Sequence, residues 1–444
     1  MPSQFLAGES SKSTRQNVAT LVALGLLLCL WGSVLAFGGA EPASCAVVEF
    51  LVILLLVFAL WAVRSPAPLP FPWKGSALLL AFALLQTVLL GPDHHQAENQ
   101  ILRLLCCLSV FSLTALVCEY SRARNCFLCG LLGLGLFEAF YGLAQYLTGW
   151  QQIFGFKKVF YTGQATGTFI NPNHFAGLLE MILPLSLALS LYSLERIGHR
   201  AQSSARTRWS LSVGEGAAAL AFFFFVTLLL YVAILFSRSR MGILSAGAAV
   251  IVLGFIWLRS SGQLTRAVLV VMCLLAGTSA VGFWIGFGPV VERFGNLETD
   301  LATRLSLWKD TLALISRHPL LGSGLGMFAD AFTRFQTALL GRMVDHAHND
   351  YLEITAEWGV IGAGLMVGFI LFVVGRAAIA SFRFSDPADR FIAMGSFASA
   401  VAILLHSLGD FNLQVPANAL LFASILGLAQ SASRKKAPKS ENAS

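Results

Sequence analysis

Charged residues are scarce in this chain: Asp, Glu, Lys and Arg make up 12% of its 444 residues, against roughly 25% in soluble domains. Hydrophobic residues make up 56%, a balance that no water-soluble packed core explains. We find no separate soluble domain and no short-period repeat. The eight cysteines include one CxxC pair, at Cys126 and Cys129, and no second Cys/His pair follows it. This spacing predicts neither a zinc site nor a disulfide framework.

Apolar runs of about 20 residues, the length that spans a bilayer, recur from end to end. The sequence therefore predicts an all-α polytopic membrane protein, with one transmembrane domain over residues 1–444. We expect the polar termini, 1–16 and 431–444, to be disordered in the cytoplasm. The first run is too long for a signal peptide, so we expect it to be retained. About twelve spans are predicted, at 18–37, 44–63, 75–91, 98–118, 126–147, 176–194, 217–236, 243–258, 266–286, 351–375, 391–408 and 416–430.

Most Lys and Arg residues fall in alternate loops and in the two termini, which the positive-inside rule places in the cytoplasm. The net charge of +7 is then mostly a matter of membrane topology, and it does not predict nucleic-acid binding.

Residues 287–350 form the longest hydrophilic segment between spans, and we predict that they lie outside as a loop of amphipathic helices. Pro319 ends the first helical pattern. Gly322, Gly324 and Gly326 indicate a tight turn, with a phosphate-binding loop as the weaker alternative. The two helices would form a lid over the bundle. Their apolar stripes are Leu301, Leu305, Trp308, Leu312 and Ile315, then Phe328, Phe332, Phe335 and Leu339.

His346 and His348 stand within six residues that also hold Asp345 and Asp350, at the mouth of a predicted span. Imidazole titrates near neutral pH, so it can take a proton from a hydroxyl group. Glu357 lies about two turns into the span, where a carboxylate is costly without a partner. The alternatives are helix capping and a mixed N/O metal site, but His-x-His lacks the spacing of a helical zinc pair.

Arginines form a second group of candidates. Arg238 and Arg240 lie at the outer end of the seventh span, where they either snorkel to the interface or hold phosphate oxygens. Arg304 in the first lid helix and Arg103 within the fourth span could add to the same positive field.

Asn171, Asn173 and His174 precede the sixth span in an Asn-Pro-Asn-His sequence. These side chains either cap that span or contact sugar hydroxyls, and the sequence favours neither. The loop 406–412, between the last two spans, is interpreted as structural.

Several motifs resemble the O-antigen ligase and polymerase superfamily of bacterial polysaccharide assembly, and the resemblance covers most of the chain. His346-Ala347-His348-Asn349-Asp350-Tyr351-Leu352-Glu353 followed by Glu357-Trp358-Gly359 looks like the signature around that family's loop histidine, with His348 the closer match. Arg240-Met241-Gly242-Ile243-Leu244 looks like its Arg-x-x-x-Leu element. Gly167–Gly177 and His318–Gly322 are similar as well.

The resemblance implies a metal-independent, GT-C-like glycosyltransferase of the bacterial inner membrane, without a cofactor and with a periplasmic active site. The donor would be a glycan on undecaprenyl diphosphate, and the acceptor a sugar hydroxyl of lipid A–core or of a second lipid-linked glycan. His348, or else His346, would be the base, and Arg240 and Arg304 would stabilise the diphosphate. The predicted substrate-binding residues are Arg238, Arg103, Asn171, Asn173, His174, Asn349 and Glu357. Ligase and polymerase remain undistinguished, and membrane lipids are expected neighbours.

The alternative function is a transporter or flippase for lipid-linked oligosaccharides. Carriers usually place polar residues near the bilayer midplane in two related halves. Here the polar residues gather on the predicted outer face and the halves do not match. A membrane scaffold would leave the His/Asp cluster without a role.

Overall fold

A computed structural model describes residues 2–62, 73–91, 93–203, 211–262, 297–337, 344–382 and 386–434, with isolated positions between 270 and 280. These residues are almost entirely helical. The strands are β1 (Gln152–Ile153) and β2 (Phe156–Lys157), which pair antiparallel. The helices are α1 (Pro2–Leu35), α2 (Pro42–Ala62), α3 (Trp73–Leu90), α4 (His94–Val117), α5 (Ser121–Thr148), α6 (Pro172–Ser203), α7 (Leu211–Ser237), α8 (Arg240–Ser261), α9 (Leu297–Arg317), α10 (Phe328–Phe332), α11 (Asp350–Ser381), α12 (Pro387–His406) and α13 (Pro416–Arg434).

Ten of the described helices, α1 to α8 with α11 and α12, are long and apolar enough to cross a membrane. The all-α polytopic membrane fold is therefore confirmed. Of the other two predicted spans, 266–286 lies largely outside the described residues. The last one coincides with α13, which is helical but buries the polar side chains of Asn418, Ser424 and Gln430.

Helix starts follow local sequence chemistry. Proline is the first residue of α1, α2, α6, α12 and α13, a position whose N–H has no partner within a helix. Helix α1 begins at Pro2, so residues 2–16 form its first turns, and the disorder expected of the termini stays a prediction. No helix-breaking residue separates them from the apolar run, so the helix continues outward from it. Residues 435–444 lie outside the described residues.

The chain divides into two compact units. The first comprises Met1–Leu128, Glu292–Phe372 and Leu404–Gly427; the second comprises Cys129–Val291, Val373–Ile403 and Leu428–Ser444. In the first unit α4 packs against α1, α2 and α3. A core of Ala83, Leu104, Leu325 and Trp358 joins this group to the lid segment, and Phe82 stacks on Trp358 at 6.0 Å between ring centroids.

The lid segment of the first unit is anchored by a different face of α9 from the predicted one. Leu307 and Leu314 are buried with Phe328 and Phe332, whereas Leu301, Leu305 and Leu312 are exposed. The buried side of α9 also carries Asp310, whose carboxylate accepts hydrogen bonds from the Thr337 amide and hydroxyl at 2.8 and 2.9 Å. This contact holds the buried side of α9 in place, and of the predicted stripe Ile315 still packs against the buried cluster. The second lid helix, α10, is only five residues long.

A break inside α11 receives the turn that follows α9. Gly359 has φ 65 and ψ 176, outside the helical region. The backbone groups released there bond to the turn: Val360 donates to the Pro319 carbonyl at 2.8 Å, and Gly324 donates to the Glu357 carbonyl at 3.1 Å. Gly322 faces Gly359 across this contact. A Cβ on Gly322 would lie 2.2 Å from the Glu357 oxygen, so neither chain segment tolerates a side chain.

The second unit is built around α6, which packs against α7 and α8. Its core includes Leu187, Leu253 and Trp257. At one end, Arg390 pairs with Glu195 at 2.5 Å, and the Trp257 indole donates to the same carboxylate at 3.1 Å. A buried charge of this kind is tolerated because its partners are in place.

Replacing Gly359 with Ala should destabilise the protein strongly. A backbone with φ 65 and ψ 176 alone costs on the order of 1–3 kcal/mol for a residue with a Cβ, and that Cβ would lie 2.2 Å from the Leu320 carbonyl oxygen. Gly364→Ala is the matched control, since nothing lies within 4 Å of its Cβ. We expect lower monodisperse yield and a lower Tm in detergent for Gly359→Ala only. Equal Tm values for the two variants would show that the break is not needed.

Candidate functional site

The segment that carries the two candidate histidines is fastened by Asp350 to the loop between α12 and α13. The buried Asp350 carboxylate accepts hydrogen bonds from the Ser407 hydroxyl at 2.7 Å and from the Leu413 amide at 3.1 Å. The Asp350 amide donates to the Ser407 carbonyl at 3.0 Å. These contacts join residues more than fifty positions apart in sequence, and they fix the position of one loop against the other.

Asn349 adds to this fastening and starts α11. Its side-chain oxygen accepts the amides of Tyr351 and Leu352 at 3.0 and 3.1 Å, the arrangement of a helix N-cap. Its side-chain nitrogen donates to the Leu408 carbonyl at 3.0 Å. The side-chain oxygen and nitrogen of Asn349 are thus both bonded to backbone groups of the protein, which favours a structural role. Contact with substrate stays a prediction.

His348 lies where the two loops meet. Its Nδ1 is 3.3 Å from the Asp410 carboxylate, which is fully buried, while 31% of the imidazole is exposed. Its ring also packs edge-on against Phe411, at 4.9 Å between centroids. His348 has φ 50, a left-handed conformation that costs energy and often marks a functional position. With Nδ1 directed at a carboxylate, Nε2 is the nitrogen left for a reacting group.

Arg304, from α9, shares Asp410 with His348. Its Nη2 lies 3.8 Å from the second carboxylate oxygen, and its Nη1 donates to the Gly409 carbonyl. The side chain of Arg304 is 23% exposed. A guanidinium has five N–H donors, so these contacts orient it and leave donors for an anion. Asp410 therefore places an imidazole and a guanidinium on its two oxygens.

His346 has different surroundings from His348. Its ring stacks on Phe411, the same side chain that His348 meets edge-on, at 4.1 Å between centroids, and its Nδ1 lies 2.7 Å from Glu353. Burial lowers the pKa of His346, but the hydrogen bond and charge of Glu353, with the charges of Glu357 and Asp345, raise it above its ordinary value by more. Glu353 also accepts the Ala347 amide at 2.8 Å. This pair braces the chain immediately before His348.

Glu357 and Arg103 do not join this cluster. The buried Glu357 carboxylate accepts the Phe328 amide at 3.2 Å and holds the lid turn. Arg103, half-buried on α4, lines an apolar cavity together with Glu49 and Glu357. Substrate contact by either residue stays a prediction.

Five predicted residues belong to the second unit. Arg240 is the first residue of α8, where the Ser239 hydroxyl caps the helix by accepting the Gly242 amide at 3.2 Å. Arg238 has φ 56, and its guanidinium lies over the Tyr146 ring at 5.8 Å. A helix N-terminus carries partial positive charge, so an arginine there is unfavourable unless an anion compensates it.

Asn171 has the capping role that the sequence left open. Its side-chain oxygen accepts the Asn173 amide at 2.9 Å, and its carbonyl accepts the His174 and Phe175 amides at 3.2 Å. The preceding turn is held from α5, because the buried Glu138 accepts the amide and hydroxyl of Thr168 at 2.9 and 2.8 Å. For Asn173 and His174, ligand contact stays a prediction.

Sequence reasoning missed Asp410. Its loop was interpreted as structural because Asp410 is 62 residues from His348 and no periodic pattern links them. The available signal was a carboxylate, an amide and a histidine between two predicted spans, all on the predicted outer face. Within the described ranges, no group of three or more His, Cys, Asp or Glu side chains is placed to hold a metal ion.

The pairing of His346 with Glu353 predicts a pH-dependent stability. Because the pKa of His346 is raised in the folded state, the stabilisation is complete below the unfolded value near 6.5 and is lost as pH rises through the folded value. We expect wild-type protein to have a higher Tm than His346→Gln at pH 6, with the difference shrinking towards pH 9. A difference that stays constant or grows with pH would contradict the pairing.

Comparison with known families finds a match in the middle of the chain. Residues 223–367 match the family model described as O-antigen ligase, a segment that contains Arg240, Arg304, His346 and His348. No curated protein matches the chain. The family match supports activity of the O-antigen ligase and polymerase type in a multi-pass membrane protein. The superfamily that the sequence motifs predicted is therefore confirmed, through the similarity of residues 223–367 to O-antigen ligase.

Proposed function

We propose that the protein moves a glycan from a polyprenyl diphosphate, undecaprenyl diphosphate by the family resemblance, to a sugar hydroxyl acceptor. The observation that carries this proposal is the group of His348, Asp410 and Arg304 in the first unit. A buried carboxylate there orients a partly exposed imidazole and a partly exposed guanidinium. One is suited to take a proton and the other to hold an anion.

His348 is the proposed base. Asp410 accepts a hydrogen bond from Nδ1–H, which leaves the lone pair of Nε2 for the acceptor hydroxyl. As the acceptor oxygen bonds to the sugar's anomeric carbon, the bond from that carbon to the diphosphate oxygen breaks. The hydroxyl proton passes to Nε2, and the lipid diphosphate leaves with the electron pair. Asp410 stabilises the imidazolium that forms and is a positioning residue.

Arg304 is the proposed stabiliser of the departing diphosphate. Guanidinium groups match phosphate oxygens in a bidentate geometry, and Arg304 is fixed by Asp410 and by the Gly409 carbonyl. A charge that is already oriented needs little reorganisation when the negative charge develops. The diphosphate is an activated leaving group, so the proposed reaction needs neither a metal ion nor ATP.

Arg240, in the second unit, is a separate candidate for holding a diphosphate, the role that the family resemblance implies. Its place at the first position of α8 combines a guanidinium with the positive end of a 22-residue helix. Arg238 precedes it and is held over an aromatic ring. These features favour an anion near the start of α8. Substitution of Arg240 tests that role separately from the role of His348.

The proposal also covers the membrane in which the protein lies and the acceptor that it uses. We place the protein in the bacterial inner membrane, with cytoplasmic termini and the histidine loop on the periplasmic side, since the Lys and Arg distribution favours that orientation. The acceptor is lipid A–core for a ligase and a second lipid-linked glycan for a polymerase. The GT-C relationship rests on the family resemblance.

Replacing His348 with Ala should lower glycan transfer by at least about 100-fold, the usual range for loss of a general base. Asp410→Asn should cost about 10- to 100-fold, as expected for one charge-assisted contact. The assay is reconstituted protein with undecaprenyl-diphosphate glycan and, in parallel, lipid A–core or a second lipid-linked glycan. His95→Ala, an exposed histidine on α4, is the control. Near-wild-type transfer by His348→Ala at normal membrane levels would sink the assignment.

Arg304→Lys and Arg240→Lys should each lower kcat/KM for the lipid-linked donor by about 10- to 100-fold, because a point charge cannot reproduce a bidentate contact. Arg317→Lys on α9 and Arg259→Lys on α8 are matched controls, since both side chains are exposed near the opposite ends of the same helices. If a variant and its control have equal activity, that arginine does not contact the diphosphate.

A further inference from the structure

The first unit contains a cavity of about 190 Å³ that the transfer mechanism does not use. Most of its lining is apolar, with side chains from α2, α3, α4, α11 and α13. The charged residues in the lining are Glu49, Arg103 and Glu357. Apolar cavities of about 150 Å³ are large enough to hold a small hydrocarbon, so this one has room for part of an acyl chain.

The three charges gather at one end of the cavity, and the lining farther along the helices is apolar. Glu49, Arg103 and Glu357 each lie about two turns after the first residue of α2, α4 and α11. Side chains of a helix lean towards its N-terminus, and these three helices all begin on the predicted outer face. Phe111 and Phe369 line the cavity farther along α4 and α11, about 12 Å or more deeper. The cavity is thus polar towards the membrane surface and apolar towards the bilayer interior.

Arg103 and Glu49 carry the charges that remain available. Glu357 is engaged by the amides of the lid turn. Across the described parts of the chain, neither Arg103 nor Glu49 has a hydrogen bond or an ion pair, although their charges act on each other. A guanidinium at this depth is costly unless something pairs with it, and the cavity gives an anionic group access to it.

We propose that this cavity binds one zwitterionic glycerophospholipid of the outer leaflet. Its phosphate pairs with Arg103, its ammonium group pairs with Glu49, and one acyl chain fills the apolar end. Glu49 already balances the charge of Arg103 in the lining, so a diphosphate or a singly anionic lipid would add uncompensated negative charge. The lipid is therefore distinct from the glycan donor, and the inference does not depend on the proposed transfer reaction.

The experiment is native mass spectrometry of the full chain in mild detergent, with phosphatidylethanolamine, phosphatidylglycerol, undecaprenyl phosphate and inorganic phosphate added in turn. Wild-type protein should retain phosphatidylethanolamine in preference to the other three. Arg103→Gln should retain about ten-fold less, as expected for loss of one charge-assisted contact. Glu49→Gln should shift the preference towards phosphatidylglycerol. Arg122→Gln and Glu98→Gln, exposed positions outside the cavity, should behave like wild type.

A second variant guards against misfolding of the charge variants. Ala419→Leu adds volume inside the cavity while both charges remain, and it should lower lipid retention with little change in Tm. Preferential binding of undecaprenyl phosphate would overturn the proposal by assigning the cavity to the donor. Equal retention by wild type, Arg103→Gln and Ala419→Leu would overturn it by placing the lipid elsewhere. Binding of inorganic phosphate as tight as that of the lipid would also overturn it, because the acyl chain would then contribute nothing to binding.

Discussion

The buried carboxylate of Asp350 is the contact on which the candidate site depends. It joins the histidine segment to the loop 407–413 through the Ser407 hydroxyl and the Leu413 amide. Without that connection, nothing in the local sequence of either loop would hold Asp410 beside His348. A buried carboxylate is costly unless hydrogen bonds satisfy it, so the two loops and the carboxylate stabilise one another. The site is therefore a property of two loops and not of one motif.

The same constraint separates the two histidines. His346 is stacked on Phe411 and paired with Glu353, so its Nδ1 and one face of its ring are occupied by contacts within the protein. His348 adopts a left-handed backbone and directs Nδ1 at Asp410 while part of its ring remains exposed. Strain of this kind persists only where neighbouring contacts fix the backbone on both sides. The His346–Glu353 pair precedes His348 and Asn349 follows it, and this arrangement supports His348 as the base.

The scarcity of charge in the sequence gives the buried charges of the structure a clear meaning. In the second unit, Glu195 and Arg390 neutralise each other, and the indole of Trp257 completes the pairing. In the first unit, Arg103 and Glu49 face an apolar cavity without such direct pairing among the described residues. Since an apolar surrounding penalises unpaired charge, the first pattern indicates structural stabilisation and the second indicates a ligand.

The sequence by itself determined the membrane class, the helical architecture and the chemical types of the site, because hydrophobic run length and side-chain chemistry are local properties. His348 and Arg304 were predicted from that chemistry together with the family resemblance, and their roles stay a prediction. Only the tertiary structure decided that Asp410 joins them and that Gly359 breaks α11 to receive the lid turn. It also decided which face of α9 is buried, where Leu307 and Leu314 pack on Phe328 and Asp310 bonds to Thr337. Such pairings join residues far apart in sequence, and no local periodicity encodes them.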